Sequence, residues 1–469
     1  MVSRLEYKWL AMITVSIGTF MATLDASIVN VSLPTIMKSL HTDLPTVQWA
    51  VSIYLLVITG LLLTLGRLAD LVGRKPVFIA GLAVFSIGSL LCGLSGTVLQ
   101  LIFFRGVQAV GAAMIMANSA AIVTQAFPRI ERGKALGIIG TVVATGLTTG
   151  PALGGFLIAA WGWPLIFLIN VPIGAAGIAV AHAVLPKERR GAERHFDIPG
   201  AIMLLVSLVS LTLALNQGSE RGWDSTYVRT LFLSFLLFGL LFLWRERMAV
   251  HPILDLALFR NRTFAAASAS AFIVFVATFS VAFLTPFYLS QILGYTPRQM
   301  GFTLAAVPLT VAVIAPISGS LSDRIGSRVL SSIGLAVASI GLLLISRLGS
   351  DPTSSAVILS LVVVGLGSAI FQSPNNSSIM GSVPSSMLGV AAGMAATMRN
   401  LGMVTGLAVS GAVYMSRRLS CIAELGPMQA SVHAFRDAFI VAAAVCAIGV
   451  ITSAVRGPAD SAQPSAVSR

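Results

Sequence analysis

The sequence has few charged residues. Only 10% of its 469 residues are Asp, Glu, Lys or Arg, whereas 56% are hydrophobic. Soluble domains carry roughly 25% charged residues, so most of this chain cannot face water. This composition excludes an ordinary soluble protein and favours a chain that is largely embedded in a membrane.

Cysteines and nucleotide or metal motifs are also scarce. The three cysteines, Cys92, Cys421 and Cys446, are far apart and form no CxxC pair, which argues against a disulfide framework or a zinc site. The chain lacks the G-x-x-x-x-G-K-[ST] phosphate loop and the H-E-x-x-H metal motif. We therefore expect no cofactor, no metal and no enzymatic activity. Although the net charge is +13, no basic and aromatic array indicates nucleic-acid binding.

Long apolar runs dominate the sequence. A helix needs about 20 apolar residues to cross a bilayer, and runs of this kind predict fourteen spans. They lie at 10–32, 46–66, 77–96, 99–121, 134–158, 163–185, 197–216, 228–245, 264–289, 300–320, 329–346, 355–377, 390–413 and 436–455. The first run is too long for the core of a signal peptide, so we interpret it as the first span.

The basic residues predict the orientation of these spans. If the N-terminus is cytoplasmic, 20 of the 30 Lys and Arg residues fall in cytoplasmic segments and eight in segments on the other side. Basic residues are enriched in cytoplasmic loops. The sequence therefore predicts a bacterial cytoplasmic (inner) membrane protein with both termini in the cytoplasm.

An internal repeat divides the chain. "GRLADLVGRK" at 66–75 resembles "GSLSDRIGSR" at 319–328, and "GAAMIMANSA" at 111–120 loosely matches "GSAIFQSPNN" at 367–376. Both offsets are close to 255 residues, which suggests two parallel halves with extra helices between them. The predicted units are a six-helix bundle over 1–190, a two-helix insertion over 191–262, a second six-helix bundle over 263–457 and a tail over 458–469.

The first repeated segment lies in the short loop after the second span. The notable residues of this loop are Gly66, Asp70, Gly73, Arg74 and Lys75. Asp323 and Arg324 lie in the corresponding segment of the second half. Charges at the ends of neighbouring helices can form ion pairs that hold one helix arrangement and break in another. The alternative is a positively charged membrane anchor whose surface salt bridge contributes little energy.

A second motif, "GLTTGPALGG", lies in the fifth predicted span. Gly146, Gly150 and Gly154 recur every four residues and so share one helix face, which allows another backbone to approach closely. Pro151, directly after Gly150, favours a kink, and Gly155 ends the motif. Simple helix packing is the alternative to a transport role.

One acid and two arginines lie well inside predicted spans, away from the span ends. Of the 17 Asp and Glu residues, Asp25 is the only one deep inside a span, where a charge costs about 2.5–3.5 kcal/mol on insertion scales. Burial disfavours the charged form of a carboxyl group, and proton exchange at such a group could couple transport to protons. Arg105 and Arg399 are the arginines, and each either faces a cavity or extends its side chain to the membrane surface.

These motifs together resemble the major facilitator superfamily. The loop matches its G-x-L-x-D-x-x-G-R-K signature, with Ser327 in place of the first basic residue in the second copy, and "GLTTGPALGG" matches its antiporter motif. "LDASIVNVSLPTI" (24–36), "QWAVSIYLL" (48–56), "RGVQAVGAA" (105–113) and "WGWPLIFLINVPIG" (161–174) resemble helices of the drug:proton antiporters. The resemblance is to the fourteen-helix branch of that group.

The resemblance implies an all-α integral membrane protein with the major facilitator fold, two six-helix bundles and two extra central helices. It implies a proton-coupled multidrug exporter of drugs or other amphipathic molecules that works by alternating access, with Asp25 and Arg105 as the proton-coupling pair. A dedicated metabolite exporter or a lipid translocator of the same fold is the first alternative, and a membrane enzyme or sensor is the second. The presence of a periplasmic adaptor is left open.

The substrate cavity is predicted from polar and aromatic residues on the spans that would line it. These are Asn30, Trp49, Tyr54, Met114, Asn118, Phe275, Phe279, Gln372, Asn375 and Asn376. Ordinary helix packing is the alternative for each of them. A cavity rich in Met and Phe with one acid would suit amphipathic or cationic compounds, so the expected partners are lipid, protons and a small molecule of that kind.

Overall fold

The computed structural model describes residues 4–128, 131–186, 197–248, 256–384 and 387–455. The secondary structure in these ranges is helical. The helices are α1 (Arg4–Ser39), α2 (Leu44–Val72), α3 (Arg74–Gly93), α4 (Val98–Ala126), α5 (Arg132–Trp161), α6 (Leu165–Leu168), α7 (Asn170–Val184), α8 (Ile198–Arg221), α9 (Thr226–Met248), α10 (Arg262–Phe287), α11 (Pro297–Leu304), α12 (Ala306–Ile325), α13 (Ser327–Ser346), α14 (Ser354–Gly381) and α15 (Leu388–Ala454). A 3₁₀ turn (Leu256–Arg260) precedes α10, and a π-helical turn (Tyr288–Ile292) follows it.

In the described ranges, 13 helical segments are long and apolar enough to cross a membrane. The last of them, Val390–Ala454, has 65 residues and would measure roughly 98 Å as one straight helix, about three times the thickness of a bilayer core. The chain reverses within it at Gly426, where φ is +74°. Arg417 before the reversal lies 2.5 Å from Asp437 after it. Two antiparallel spans therefore occupy this segment, and the predicted fourteen spans are present in the described part of the chain.

Residues 414–435, which the hydropathy pattern places outside the membrane, continue both of these spans as helix. The ring centroids of Tyr414 and Phe435 are 4.6 Å apart across the hairpin. Gly426 adopts a positive φ that other residues rarely tolerate, and Pro427 starts the return helix. The connection between the last two spans is thus a helical hairpin with a one-residue break.

The helices before α8 and those after α9 pack mostly within their own group, and we call these groups the first and the second bundle. Within the first bundle, α1 packs on α5 while α4 packs on α2 and α3, and in the second α15 packs on α10 and α13. The inserted helices α8 and α9 pack on each other, and α8 also contacts α2 of the first bundle and α15 of the second. Leucines of α9 such as Leu233 and Leu240 are exposed, as expected for a helix that faces lipid.

The glycine motif of α5 sets the distance between α5 and α1. A methyl carbon added to Gly150 would lie 2.7 Å from the backbone nitrogen of Ile28, and one added to Gly154 would lie 2.6 Å from Val31 Cγ1. Ser27 Oγ also donates a hydrogen bond of 3.1 Å to the carbonyl oxygen of Gly146. The two helices are therefore in backbone contact, which only the absence of side chains allows. Despite Pro151, α5 stays helical along its length.

The last glycine of the motif makes a contact between the two halves. A methyl carbon on Gly155 would lie 2.5 Å from the Cα of Gly301, which belongs to α11 of the second bundle. Gly155 is near the C-terminal end of α5, and Gly301 is near the N-terminal end of the span formed by α11 and α12. The halves are therefore closed on each other on the side of the membrane opposite to the start of α1.

We expect Gly150→Ala to lower the thermal stability of the protein, because overpacking of this kind costs about 1–3 kcal/mol. The measurement is the midpoint of thermal unfolding of the full chain in detergent, followed by size-exclusion chromatography. Gly140→Ala on the same helix is the matched control, since no atom lies within 4 Å of the added carbon there. Equal midpoints for the two variants would contradict the close-packing role.

Candidate functional site

Asp25 and Arg105 form an ion pair inside the first bundle. Asp25 lies in the middle of α1, Arg105 lies on α4, and both side chains are fully buried. Arg105 Nη1 donates to Asp25 Oδ2. Removing two charges from water costs several kcal/mol per ion, and their attraction offsets this only when the remaining polar atoms are also bonded. The surroundings of the pair therefore decide whether it is stable.

The second carboxylate oxygen of Asp25 accepts bonds from two amides. Gln108 Nε2 on α4 donates to Asp25 Oδ1 at 2.8 Å, and Asn170 Nδ2 at the start of α7 donates to the same oxygen at 3.1 Å. Gln108 is itself held by Ser89 of α3, whose Oγ lies 2.7 Å from Nε2. Both oxygens of the carboxylate are thus satisfied by side chains from α4 and α7.

The guanidinium of Arg105 is held by α2. Its Nε donates to the carbonyl oxygen of Ala50 at 2.8 Å, and its Cζ lies 4.0 Å from the centre of the Tyr54 ring, a cation–π contact. Tyr54 in turn donates a 2.8 Å hydrogen bond to the carbonyl oxygen of Ala22 on α1. Helices α1, α2, α4 and α7 therefore converge on a single carboxylate.

Two polar atoms of this cluster have no partner. Arg105 Nη2 and Asn170 Oδ1 are buried and make no hydrogen bond with any described residue. An unpaired buried donor or acceptor costs about 1–3 kcal/mol. Both oxygens of the Asp25 carboxylate are therefore hydrogen-bonded, whereas one atom of Arg105 and one of Asn170 are not. These two free atoms allow the cluster to adopt a second hydrogen-bond arrangement.

The motif analysis did not single out Gln108, Asn170 or Ser89. The first two lie inside segments that resemble antiporter helices, "RGVQAVGAA" and "WGWPLIFLINVPIG". The sequence signal that could have identified Gln108 and Asn170 is an amide side chain within an apolar span, because a buried polar group there requires a hydrogen-bond partner. Among the described residues two further acids are buried, Asp197 at the start of α8 and Glu246 near the end of α9. In this part of the chain Asp25 is therefore the buried acid in the middle of a span.

The basic residues of the loop signature bind helix ends. Gly73, with φ +107°, separates α2 from α3. Arg74 Nη1 donates to the carbonyl oxygen of Ala121 at 3.0 Å on α4, and Lys75 Nζ donates to that of His182 at 2.7 Å on α7. His182 lies in the last turn of α7, where carbonyls have no partner within the helix, and Ala121 lies five residues before the end of α4. These cations therefore fasten α3 to the C-terminal parts of α4 and α7.

The side chains of Asp70 and Asp323 lie outside the described residues, so the predicted ion pairs of the loop stay a prediction. Gly66 approaches α4, because a methyl carbon there would lie 3.8 Å from Ala117 Cβ. Arg324 is exposed in the last turn of α12.

A narrow cleft, with room for about one water molecule, lies between the two bundles beside α1. Its lining residues come from α1, α2, α4, α5 and α15 and are Ala22, Thr23, Ala26, Ile58, Met116, Leu147, Arg399, Asn400 and Met403. Asp25 and Arg105 are not among them. The carboxylate of Asp25 therefore points into the first bundle, while its neighbours Thr23 and Ala26 on the same helix face the cleft.

None of the ten predicted cavity residues lines this cleft. Tyr54 packs against Arg105 instead, and Asn118 is buried with its Nδ2 bonded to the Met114 carbonyl oxygen at 2.7 Å. Both amide atoms of Asn30 are buried without a described partner. The remaining seven range from buried to exposed. They are Trp49, Met114, Phe275, Phe279, Gln372, Asn375 and Asn376.

The halves also meet where α2 begins. Gln48 Nε2 donates to the carbonyl oxygen of Leu407 on α15 at 3.2 Å, and a methyl carbon on Gly411 would lie 2.9 Å from the same Nε2 atom. This contact is on the same side of the membrane as that of Gly155 with Gly301. The cleft is thus bounded on that side by two contacts between the halves.

We expect Arg105→Gln to reduce stability by about 3–5 kcal/mol, because it leaves a buried carboxylate without its cation. Asp25→Asn combined with Arg105→Gln should recover most of this loss, since neither charge then remains. Chemical unfolding of the four proteins in a double-mutant cycle measures the coupling. Arg229→Gln is the control, because Arg229 pairs with Asp224 at 2.8 Å while both side chains are largely exposed, 63% and 97%. Additive effects of Asp25 and Arg105 would contradict the coupling.

The fold of this chain resembles that of a solved transporter. A crystal structure of a bacterial homologue of the human lysosomal transporter Spinster, in an inward-facing and unoccupied conformation, aligns with a TM-score of 0.66 over 96% of this chain and 97% of that one. The sequence identity is 16%, so this similarity shows the fold alone.

Other known proteins have a higher sequence identity to this chain. The chain is 36% identical to riboflavin transporter RibZ of Clostridioides difficile over 449 residues, 95% of this chain and 97% of that protein. It is 35% identical to multidrug resistance protein Stp of Mycobacterium tuberculosis over 406 residues, 86% of this chain and 75% of that one. The family model of the Major Facilitator Superfamily matches residues 15–407 and 267–469. The chain therefore belongs to the major facilitator superfamily and is a multi-pass membrane transporter.

Proposed function

We propose that this transporter is a proton-coupled exporter of amphipathic small molecules and that Asp25 carries the coupling proton. The observation that supports this most is the placement of Asp25. Its carboxylate is fully buried and held by Arg105, Gln108 and Asn170, while the adjacent residues of α1 line the cleft between the halves. A proton site and a substrate site would then share one helix.

Protonation would rearrange the cluster around Asp25. A neutral carboxyl group is a hydrogen-bond donor as well as an acceptor, and it no longer attracts the guanidinium of Arg105. Asn170 supplies the acceptor that the new O–H group requires, because its Oδ1 is unpartnered and its amide is already 3.1 Å from Asp25. The charged and neutral forms of Asp25 would therefore favour different arrangements of α1, α4 and α7.

The packing of α1 offers a route from this site to the interface between the halves. The backbone contact of α1 with α5 at Gly150 and Gly154 makes the two helices move together. At the residue after Gly154, α5 touches α11 through Gly155 and Gly301. A shift of α1 on proton exchange would thus reach both the cleft and the contact that closes the opposite side. Such a two-state interface is what alternating access requires.

The direction and location of transport follow from the same proposal. The excess of basic residues in one set of loops supports a cytoplasmic-membrane protein with both termini in the cytoplasm. In that orientation the halves are closed towards the exterior, because α1 begins on the cytoplasmic side. Protons would enter at the exterior-open stage and leave at the interior-open stage, and substrate would move outwards in exchange.

A dedicated metabolite exporter is the second candidate. It is favoured by the similarity to riboflavin transporter RibZ, which extends over 95% of this chain. The mechanism at Asp25 would be the same, and only the cargo would differ.

We expect Asp25→Asn to abolish transport driven by a pH gradient, because the amide cannot release a proton. Purified full chain in liposomes with an imposed pH gradient and a panel of anionic, neutral and cationic fluorescent compounds measures this. The variant should still exchange substrate down its own gradient, since the cleft is unchanged.

Asp43→Asn is the matched control for this variant. Asp43 is an exposed residue that caps α2 by accepting from Thr46 N at 3.0 Å, and Asn caps helices equally well. Asp43→Asn should therefore transport as the natural chain does. Intact proton-driven transport in Asp25→Asn would contradict the proposal.

The two cargo candidates differ in a tolerance test. Expression in a bacterium without its own exporters should raise tolerance to several unrelated amphipathic compounds if the protein is a drug exporter. It should instead raise export of riboflavin or another single metabolite, with no change in tolerance, if it is a metabolite exporter. The readouts are growth inhibition by the panel and the riboflavin fluorescence of the medium.

A further inference from the structure

The cleft between the halves contains one charged side chain, that of Arg399, among its described residues. Arg399 lies on α15, at the level of the α1 residues that flank Asp25, and is partly buried. Most of the wall is apolar, with Ala26, Ile58 and Met403 among its residues. A cation in such a place is costly unless something offsets its charge.

The described part of the protein does not supply the counter-charge. No described carboxylate lies within ion-pair distance of Arg399, and Asp25 is already bound to Arg105 on the other face of α1. The contrast between the two arginines is informative, because Arg105 has a carboxylate, a carbonyl and an aromatic ring as partners. Arg399 is therefore a cation that faces the cleft without an anion.

Asn400 adds a second donor to the same cleft. It is only 3% exposed, and its Nδ2 is buried without a described partner. Thr23, the other polar residue of the wall, already donates to the carbonyl oxygen of Thr19 at 2.8 Å. The unsatisfied groups of the cleft are thus a guanidinium and an amide N–H, both of which require an acceptor.

We propose that Arg399 and Asn400 bind the anionic group of the cargo and that this transporter selects amphipathic anions rather than cations. A carboxylate, sulfonate or phosphate offers two or more oxygens to a guanidinium fork. In a conformation with a wider cleft, the apolar body of the cargo would pack against residues such as Met116, Leu147 and Met403, where Met adapts to irregular shapes. The inference rests on the proposed export function and names its substrate class.

This assignment differs from the cationic part of the expected substrate class, which was amphipathic or cationic compounds. That expectation placed Asp25 in the cavity as its counter-charge, but the carboxylate of Asp25 is fully buried behind the cleft wall. A cation that entered the cleft would meet Arg399 and be repelled. An anion would be attracted and would find Asn400 as a further donor.

Three pyrene compounds with the same hydrocarbon body test the charge preference. They are pyrenebutyrate, pyrenebutanol and pyrenebutyl-trimethylammonium, and energy transfer from the protein's tryptophans to pyrene reports their binding to the full chain in nanodiscs. We expect the natural chain to bind the butyrate at least about tenfold more tightly than the other two, as for gain of one charge-assisted hydrogen bond. A preference for the ammonium compound, equal affinities or no saturable binding of the butyrate would overturn the proposal without any variant.

Substitutions test which side chains cause the preference for the butyrate. Arg399→Gln should lose the preference for the butyrate, and Arg399→Lys should keep most of this preference because the charge remains. Asn400→Leu should weaken the preference. Arg347→Gln, at an exposed arginine after α13, should bind as the natural chain does. An undiminished preference in a folded Arg399→Gln protein would overturn the assignment to Arg399.

Asp25→Asn separates this inference from the proposed function. It should lose pH-driven transport and keep the preference for the butyrate, because Asp25 does not line the cleft. If Arg399 instead served as a counter-ion of the proton site, the preference would be absent and the pH dependence of transport would change in Arg399→Gln. Absence of pH-driven transport in the natural chain, with an intact anion preference, would contradict the export mechanism alone.

Discussion

The structure depends on how one carboxylate is kept charged or neutral inside a membrane. Asp25 cannot be left unpaired at the centre of α1, so Arg105, Gln108 and Asn170 must be brought to it from α4 and α7. Arg105 in turn requires Ala50 and Tyr54 of α2. The first bundle is organised around this requirement, since an isolated charge there would cost more than ordinary helix packing returns.

The consequence is that α1 has three distinct faces. One presents Asp25 to the inside of the first bundle, a second presents Thr23 and Ala26 to the cleft, and a third packs backbone to backbone on the glycines of α5. A helix with these three contacts cannot adjust to a proton without changing the cleft or the position of α5. Tight packing makes such interfaces switch between discrete arrangements rather than deform gradually.

The sequence predicted the features that depend on local pattern. Apolar runs gave the spans, and the four-residue spacing of Gly146, Gly150 and Gly154 predicted a close-packed face, which α1 occupies. It could not predict which side of a helix faces the cleft, because hydropathy is similar all round a buried helix. Tyr54 illustrates this, since an aromatic residue expected in the cavity lies against Arg105 instead. Gln108 and Asn170 were missed because long-range pairing of amides leaves no periodic signal.

The two arginines within spans lie in different halves and have different proposed roles. Arg105 is neutralised by Asp25 and belongs to the proposed proton site, whereas Arg399 has no described counter-charge and belongs to the proposed anion site. If one anion leaves for each proton that enters, both movements carry positive charge inwards. Each charge contributes about 2.3 kcal/mol per 100 mV of membrane potential, so a one-for-one exchange would gain about 4.6 kcal/mol per 100 mV from two charges. The membrane potential would then drive the export of an anion more strongly than that of a neutral compound.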